Sequence, residues 1–405
     1  MKAIELFAGA GGLGMGITLA GFESLAVIEW DRWACDTIRE NQKRDYPLVR
    51  DWPLHELDVR QFDFKSLAGK VDLVAGGPPC QPFSMGGKHK AHHDHRDMFP
   101  AAVEAVRILR PRAFIIENVK GLTRSAFANY YQYIQLQFEF PEVTRAENEE
   151  WMTHFLRLQA EHTSQRHGAW QGLTYNVVPT LVNAANHGVP QKRERVFIVG
   201  FRGDLGIEWS FPVETHSQDA LLIDQWITGE YWERHKIART RRPAPPVEMK
   251  SRLERLRSLN DRPRERPWMT VRDALAGLPE PGNGGGDFRN HRFQPGARSY
   301  AGHTGSPIDQ PAKTLKAGDH GVPGGENMLV RDNGDIRYFS VRESARLQTF
   351  PDGYVFHGSW SETMRQLGNA VPVALARTVA SSVAEKLLRH DMDTMGKIVR
   401  QLRRA

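Results

Sequence analysis

A chain of 405 residues with 40% hydrophobic and 25% charged side chains has material for two or three packed units, which excludes wholesale disorder and a collagen-like repeat. No apolar run reaches the roughly eighteen residues of an ordinary spanning helix, and two cysteines, Cys35 and Cys80, exclude a disulfide scaffold or a zinc site built from cysteine pairs. The net charge of +6 is local: residues 230–300 hold 16 Lys/Arg against 9 Asp/Glu, an excess of +7 that leaves −1 elsewhere, the footprint of a polyanion binder or of a solvated basic face.

The N-terminus, MKAIELFAGAGG, puts an acid and then glycines where a secretory signal would carry its apolar stretch, so a cytoplasmic protein with free thiols and no membrane partner is expected. Residues 1–120 alternate short apolar runs with helical stretches: AIELF then LGMGITLAGF, LAVIEW then RWACDTIRENQ, VDLVAGG then FPAAVEAVRILR, and AFIIENV. Strand and helix taking turns predicts a doubly wound, mostly parallel α/β sheet, whose ligands sit at the carboxyl ends of the strands. Gly9, Glu29, Asp58, the pair Pro79 and Cys80, and Glu117 each fall at such an end, so one pocket is expected. Residues 121–175 read as a polar helical insertion, followed by strand-like TYNVVPTLV and RVFIVGF. From 205 to 337 the chain is dense in Pro, Gly and Arg (RRPAPP, LPEPGNGGG, HGVPGGEN), which suits a separate, smaller, loop-rich domain. Helical order returns at 340–348 and 373–388, predicting that 338–405 packs back onto the first domain, 1–204.

Two patterns carry chemistry. Gly9, Gly11 and Gly14 satisfy G-x-G-x-x-G, with Glu29 closing the next strand. Glycines allow close backbone approach and a strand-end carboxylate holds ribose hydroxyls, which fits NAD, FAD or S-adenosylmethionine; tight strand–helix packing would place the same glycines. GGPPCQPFS (76–84) sets a cysteine after two prolines at a strand end. Prolines fix the backbone, so Cys80 is expected to be held rigidly in the pocket rather than buried as a small hydrophobe.

At this motif the sequence resembles the DNA cytosine-5 methyltransferase family, of the bacterial restriction–modification type, and further blocks follow in that family's order. FAGAGG (7–12) is similar to its first cofactor motif, Glu29-Trp30 to its second, and Asp58 to its adenine-facing acid. PPCQPFS is similar to its nucleophile motif, Glu117-Asn118-Val119 to its ENV motif, and QKRER (191–195) to its QxRxR motif. RESARLQTFP (342–351) and GNAVP (368–372) resemble its last two. The resemblance implies an S-adenosylmethionine-dependent, Rossmann-like domain with a target-recognition domain. Cys80 would attack carbon 6 of a flipped cytosine, which activates carbon 5. Glu117 would protonate nitrogen 3, Arg195 would bind the base carbonyl, and Arg193, on the same strand face, would support the site or a phosphate.

By the same carry-over Phe7, Gly9, Ala10 and Gly12 surround the methionine part of the cofactor and Glu29 the ribose. Trp30 and Val59 face the adenine and Asp58 its amino group, while Pro79, Phe99 and Asn369 close the pocket; core packing is the other reading of Trp30. Ser84, Gly86 and Lys88, in the loop after the cysteine, are expected at DNA, as are Arg241 and Arg242 on phosphates and Thr314 and Leu315 in the recognition core. The loop's His89, His92, His93, Asp94 and His95 could ligate a metal, but no step requires one, and no metal is expected. The implied partners are double-stranded DNA and a restriction endonuclease acting separately, with the enzyme a monomer near nucleoid DNA. A nucleotide-dependent oxidoreductase leaves PPCQ, ENV and QKRER without a role, and a non-catalytic DNA-binding module has no need of Cys80, Glu117 and Arg195 together. A tRNA cytosine methyltransferase usually has a shorter recognition region than the stretch between QKRER and the RESARLQTFP block.

Overall fold

The computed structural model describes residues 1–79, 97–166, 171–258, 263–282, 288–301, 303–317 and 325–402. Its contacts divide the chain into two units, one of Met1–Val182, Glu194–Pro212 and Ala376–Ala405, the other of Asn183–Arg193 and Val213–Leu375.

The first unit is built on a seven-stranded sheet. Its elements in chain order are β1 (Lys2–Leu6), α1 (Gly12–Leu19), β2 (Glu23–Glu29), α2 (Arg32–Lys43), β3 (Leu54–Glu56), β4 (Leu73–Gly76), α3 (Phe99–Leu109) and β5 (Ala113–Val119). There follow α4 (Ala128–Glu139), α5 (Trp151–Arg166) and β6 (Tyr175–Asn183), then, after β7 (Gln191–Lys192) of the second unit, β8 (Glu194–Arg202). The strand order is β3-β2-β1-β4-β5-β8-β6. Pairing is parallel from β3 to β5 and antiparallel between β5 and β8. This is the doubly wound α/β arrangement expected, with successive connections leaving β1 in one direction for β2 and β3 and in the other for β4 and β5. The strand residues Ile4, Leu6, Ile28, Val74, Phe114 and Ile116 pack with Phe99, Val106 and Leu109 of α3 in one buried cluster. Near-continuous burial of β4 and β5 follows from helices covering a parallel sheet.

The glycine-rich turn needs its glycines for two different reasons. Gly9 and Gly11 have φ of +54° and +85°, the left-handed region that a side chain disfavours. Gly14 instead serves close packing, since a Cβ there would lie 2.1 Å from Glu5 Oε2 and 2.8 Å from the Trp52 ring.

The second unit carries β9 (His216–Ser217), α6 (Gln218–Ile223), α7 (Glu230–Arg234), α8 (Lys250–Ser258), β10 (Arg266–Pro267) and α9 (Val271–Leu275). After these come β11 (Ser306–Pro307), β12 (Ala312–Lys313), β13 (Met328–Val330), β14 (Ile336–Tyr338), α10 (Val341–Leu347) and α11 (Trp360–Asn369). Two-residue strands and short helices are what its Pro/Gly density permits, and its small cores form around Trp232 and Trp268, around Leu253 and Leu256, and around Leu315 and Phe339. The contacts place 338–375 with this unit, and the chain passes back to the first within α12 (Val373–Leu402). That helix extends beyond the expected 373–388: its apolar periodicity fades past Leu388, but no proline or glycine cap stops it there.

Gly14→Ala is expected to lower unfolding free energy by about 1–3 kcal/mol, the usual range for overpacking a tight contact, through the collision with Glu5 and Trp52. A urea midpoint equal to that of the wild type would show that the contact is not tight.

Candidate active site

The carboxyl ends of β1, β2 and β3 bring together the residues expected to hold a cofactor. Glu29, the last residue of β2, is 6% exposed and accepts three backbone N–H groups: Gly9 at 2.7 Å, Trp30 at 2.8 Å and Asp31 at 2.7 Å. Burial pushes its carboxyl above the ordinary carboxylate range, and these three donors pull against that. A carboxylate offers about four acceptor positions, so one remains for a hydroxyl entering from solvent. Phe7 is held at φ +56°, uncommon for a bulky residue and a form of strain that clusters at ligand sites. A Cβ on Gly9 would meet no atom within 4 Å, so the turn leaves open space directly above its backbone. Trp30 is 71% exposed, which rules out the core reading and leaves a bare aromatic face beside Glu29. Asp58 caps the turn Val59–Gln61 and pairs with Arg60, which holds its carboxyl below the usual range, while Val59 is buried. Ala10 and Gly12 are buried at the start of α1. An open cradle over Gly9, a buried ribose-type carboxylate and an exposed indole fit an adenine-containing cofactor.

The ends of β4, β5 and β8 hold the second half. Register pairs Val119 with Arg195 and Glu117 with Phe197, so Glu117 and Arg195 are diagonal neighbours on one face. Arg195 Nε lies 2.8 Å from Glu117 Oε1, and Arg195 Nη1 donates to the Glu194 carbonyl at 2.8 Å. Both side chains are buried; desolvation draws the guanidinium below its ordinary range, against the pull of Glu117. Gly77 gives the carboxylate room, because a Cβ there would stand 3.2 Å from Glu117 Oε2. The next residue of β5 faces the other way, and Asn118 Nδ2 donates to the Pro78 carbonyl at 2.9 Å. The proline turn that precedes Cys80 is thereby tied to the same strand end as Glu117. Cys80 itself, with Ser84, Gly86, Lys88 and the histidines at 89–95, lies outside the described residues. The other cysteine, Cys35, is fully buried with its thiol pushed up to about 12.

Several expected contacts are placed differently. Phe99 has no exposed surface and packs in the core, so it backs the pocket wall instead of touching a ligand. Arg193 does not share the face of Arg195, because the strand is interrupted between Lys192 and Glu194. Its fully buried guanidinium donates to the carbonyls of Leu315 (3.2 Å), Gly368 (2.7 Å) and Ala370 (2.8 Å), and so has a structural task within the second unit. Leu315 is 1% exposed and Thr314 Oγ1 donates to the Lys192 carbonyl at 2.7 Å, which makes them supports of the recognition-like segment and not its reading surface. Arg241 is exposed, but Arg242 is half-buried with Nε donating to the Ile237 carbonyl at 3.2 Å. Asn369 is the exposed last residue of α11, and Pro79 lies at the end of β4.

A family model described as C-5 cytosine-specific DNA methylase matches residues 1–144 and 167–385. The chain is 30% identical over 388 residues to the Type II methyltransferase M.PspPI of Psychrobacter sp. (strain TA137), covering 95% of this chain and 79% of the relative. It is also 30% identical over 392 residues to the Type II methyltransferase M.Eco47II of Escherichia coli, with the same coverage. Among solved structures, a prophage-encoded DNA modification methyltransferase from E. coli superposes with a TM-score of 0.56 at 18% identity, covering 96% of this chain and 99% of the other. The S. pombe Dnmt2 methyltransferase superposes at 0.52 with 16% identity over 96% and 99% of the chains; both likenesses concern the fold.

Sequence reasoning missed Glu5, although an acid inside the apolar strand AIELF is a visible signal. It is 3% exposed beneath the glycine-rich turn, and burial pushes its carboxyl up to about 8, with the Gly14 N–H opposing and the Glu29 charge adding to the rise. A folded-state value above the unfolded 4.5 means that the stabilising contribution is complete below about 4.5 and is lost as pH rises through about 8. Glu5→Gln, neutral at every pH, should therefore gain melting temperature relative to the wild type as pH rises from 5 to 8.5, by a few degrees. A difference that stays constant across this range would show that Glu5 does not titrate there.

Proposed function

The chain belongs to the C-5 cytosine-specific DNA methylase family, and from that premise we propose that it transfers a methyl group from S-adenosylmethionine to carbon 5 of a cytosine in a specific double-stranded DNA sequence. The relatives' names, Type II methyltransferases, support a modification enzyme of a restriction–modification system over the tRNA and oxidoreductase alternatives. The observation that carries the chemistry is the buried Glu117–Arg195 pair beside the Pro78-Pro79 turn.

The Cys80 thiolate adds to carbon 6 of the flipped base, and ring electrons move toward nitrogen 3 and the carbonyl oxygen. Arg195 turns its remaining guanidinium donors to that oxygen, as a preorganised electrostatic clamp. Glu117, as the neutral acid, delivers its proton to nitrogen 3. Bound S-adenosylmethionine supplies the electrophilic methyl group that carbon 5 takes. Phe7, Gly9, Ala10 and Gly12 would cradle its methionine part, Glu29 would take the ribose, and Trp30, Asp58 and Val59 would take the adenine, with Pro79 at the rim. Glu117 then takes the nitrogen 3 proton back, and loss of the carbon 5 proton to water expels the thiolate of Cys80. Ser84, Gly86 and Lys88 approach the DNA from the loop that starts at the nucleophile, and the exposed Arg241 takes a phosphate without reading sequence. No helix among the described residues is long and apolar enough to cross a membrane. Action as a cytoplasmic monomer on nucleoid DNA, with a separately acting endonuclease as counterpart, completes the proposal.

A cognate duplex carrying 5-fluorocytosine at the target should trap a complex that withstands denaturation, because fluorine replaces the proton lost in the last step; Cys80→Ala should form none. A complex that dissociates in detergent would overturn the covalent mechanism. Glu117→Gln should slow methylation by about 10²-fold, the scale of general acid catalysis, with the cofactor dissociation constant little changed. Turnover at the wild-type rate would remove Glu117 from that role.

A further inference from the structure

The two helices after the ENV strand reach the residues that flank the nucleophile segment. Tyr130 of α4 is 5% exposed, and its hydroxyl donates to Asp97 Oδ2. The other oxygen of Asp97 accepts the N–H of Phe99, the first residue of α3, at 3.2 Å. Between them, the Met98 N–H donates to the Pro79 carbonyl at 3.4 Å. The residue before Cys80 is thus bonded directly to the start of α3, whose position Asp97 and Tyr130 set.

Tyr130 is itself held by aromatic contacts. The ring of Trp151 stands edge-on to it at 6.1 Å, lies 5.6 Å from Tyr133, and stacks on Phe155 at 6.2 Å. His154 Nε2 lies 2.7 Å from the Val143 carbonyl, which can only accept, so Nε2 carries the hydrogen. Nδ1 then accepts the Tyr133 hydroxyl at 2.8 Å, which locks α5 to α4. Trp151, His154 and Phe155 all fall within 145–166, the stretch that the family model leaves unmatched. We propose that Tyr130 is a positioning residue for methyl transfer, holding Asp97 and through it the α3 start against Pro79, and that α5 is this chain's own buttress for that contact. The proposal rests on the reading of Cys80 as nucleophile. A small displacement of an attacking atom from its productive geometry is enough to lose a large part of the rate.

The test is the rate of covalent trapping on a 5-fluorocytosine duplex at saturating S-adenosylmethionine and DNA, for wild type, Tyr130→Phe, Asp97→Asn and the double variant. Tyr130→Phe removes one hydroxyl and no ring, so it should fold as the wild type does. Loss of a hydrogen bond to a charged acceptor should slow trapping roughly tenfold, with the protein fully folded at the assay temperature and the cofactor dissociation constant unchanged. Asp97→Asn should slow it similarly, and the double variant should be no slower than the slower single, because both remove one interaction. Trapping by Tyr130→Phe at the wild-type rate overturns the proposal, as does a slowing matched by loss of folded protein or by weaker cofactor binding. A wild-type protein that traps nothing overturns the nucleophile reading and this proposal with it, so the two failures are told apart by the wild-type lane.

Discussion

The catalytic half of the site depends on one interaction, the buried ion pair of Glu117 with Arg195. Removing two charges from water is expensive, and a hydrophobic pair of similar volume is often as stable or more so, so a buried pair of this kind is weak evidence of a stabilising role. Its geometry follows from a single reversal in an otherwise parallel run of strands. β5 delivers Glu117 to the carboxyl edge at its end, whereas β8, being antiparallel, delivers Arg195 to the same edge at its beginning. A parallel β8 would have left the arginine at the opposite edge. The pairing partner on β5 also dictates the register that puts the two side chains on one face, and Gly77 keeps the space in front of them clear.

The parallel core was legible because strand and helix alternate in sequence with a glycine turn at the first junction, and the ends of β1 to β5 do lie along one edge of the sheet. Glu29, Trp30, Glu117 and Arg195 could be found because each sits at a motif whose position in the strand also decides its direction. Phe99, Arg193 and Leu315 show where that reasoning fails. A motif carries a residue's place along the chain but not its exposure, and each of these turned out to be buried, two of them with partners more than a hundred residues away. Arg193 was also subject to a strand break that the pattern QKRER does not announce. Tyr130 and Trp151 were visible only as aromatic residues in a polar insertion; what they touch depends on how α4 returns over α3, which no local pattern encodes.

The second unit illustrates why its base code stayed unreadable. The recognition-like segment at 314–317 is fixed through its own backbone, which buried side chains hold: Leu315 N–H donates to Gln191 Oε1 at 3.0 Å, and its carbonyl accepts from Arg193. Gly368 packs so closely on this segment that a Cβ would stand 2.2 Å from the Ala317 nitrogen. Residues that shape such a segment recur wherever the shape does, whatever sequence the enzyme reads. The motif matches therefore identify the scaffold, and the specificity lies in side chains the scaffold presents, for which sequence has no periodic signal.

The two halves of the pocket edge use the same residue type in opposite ways, and the difference is in what satisfies the buried charge. Glu29 is held by three backbone N–H groups that cannot leave, so it is a fixed acceptor, suited to holding a ligand in both the ground and the reacting state. Beside Glu117 stands the Arg195 guanidinium, with Nε 2.8 Å from Oε1, so a side-chain cation faces this buried carboxyl. Both stand towards the carboxyl edge of the sheet, Glu29 on a strand between two parallel neighbours and Glu117 on a strand with antiparallel β8 beside it.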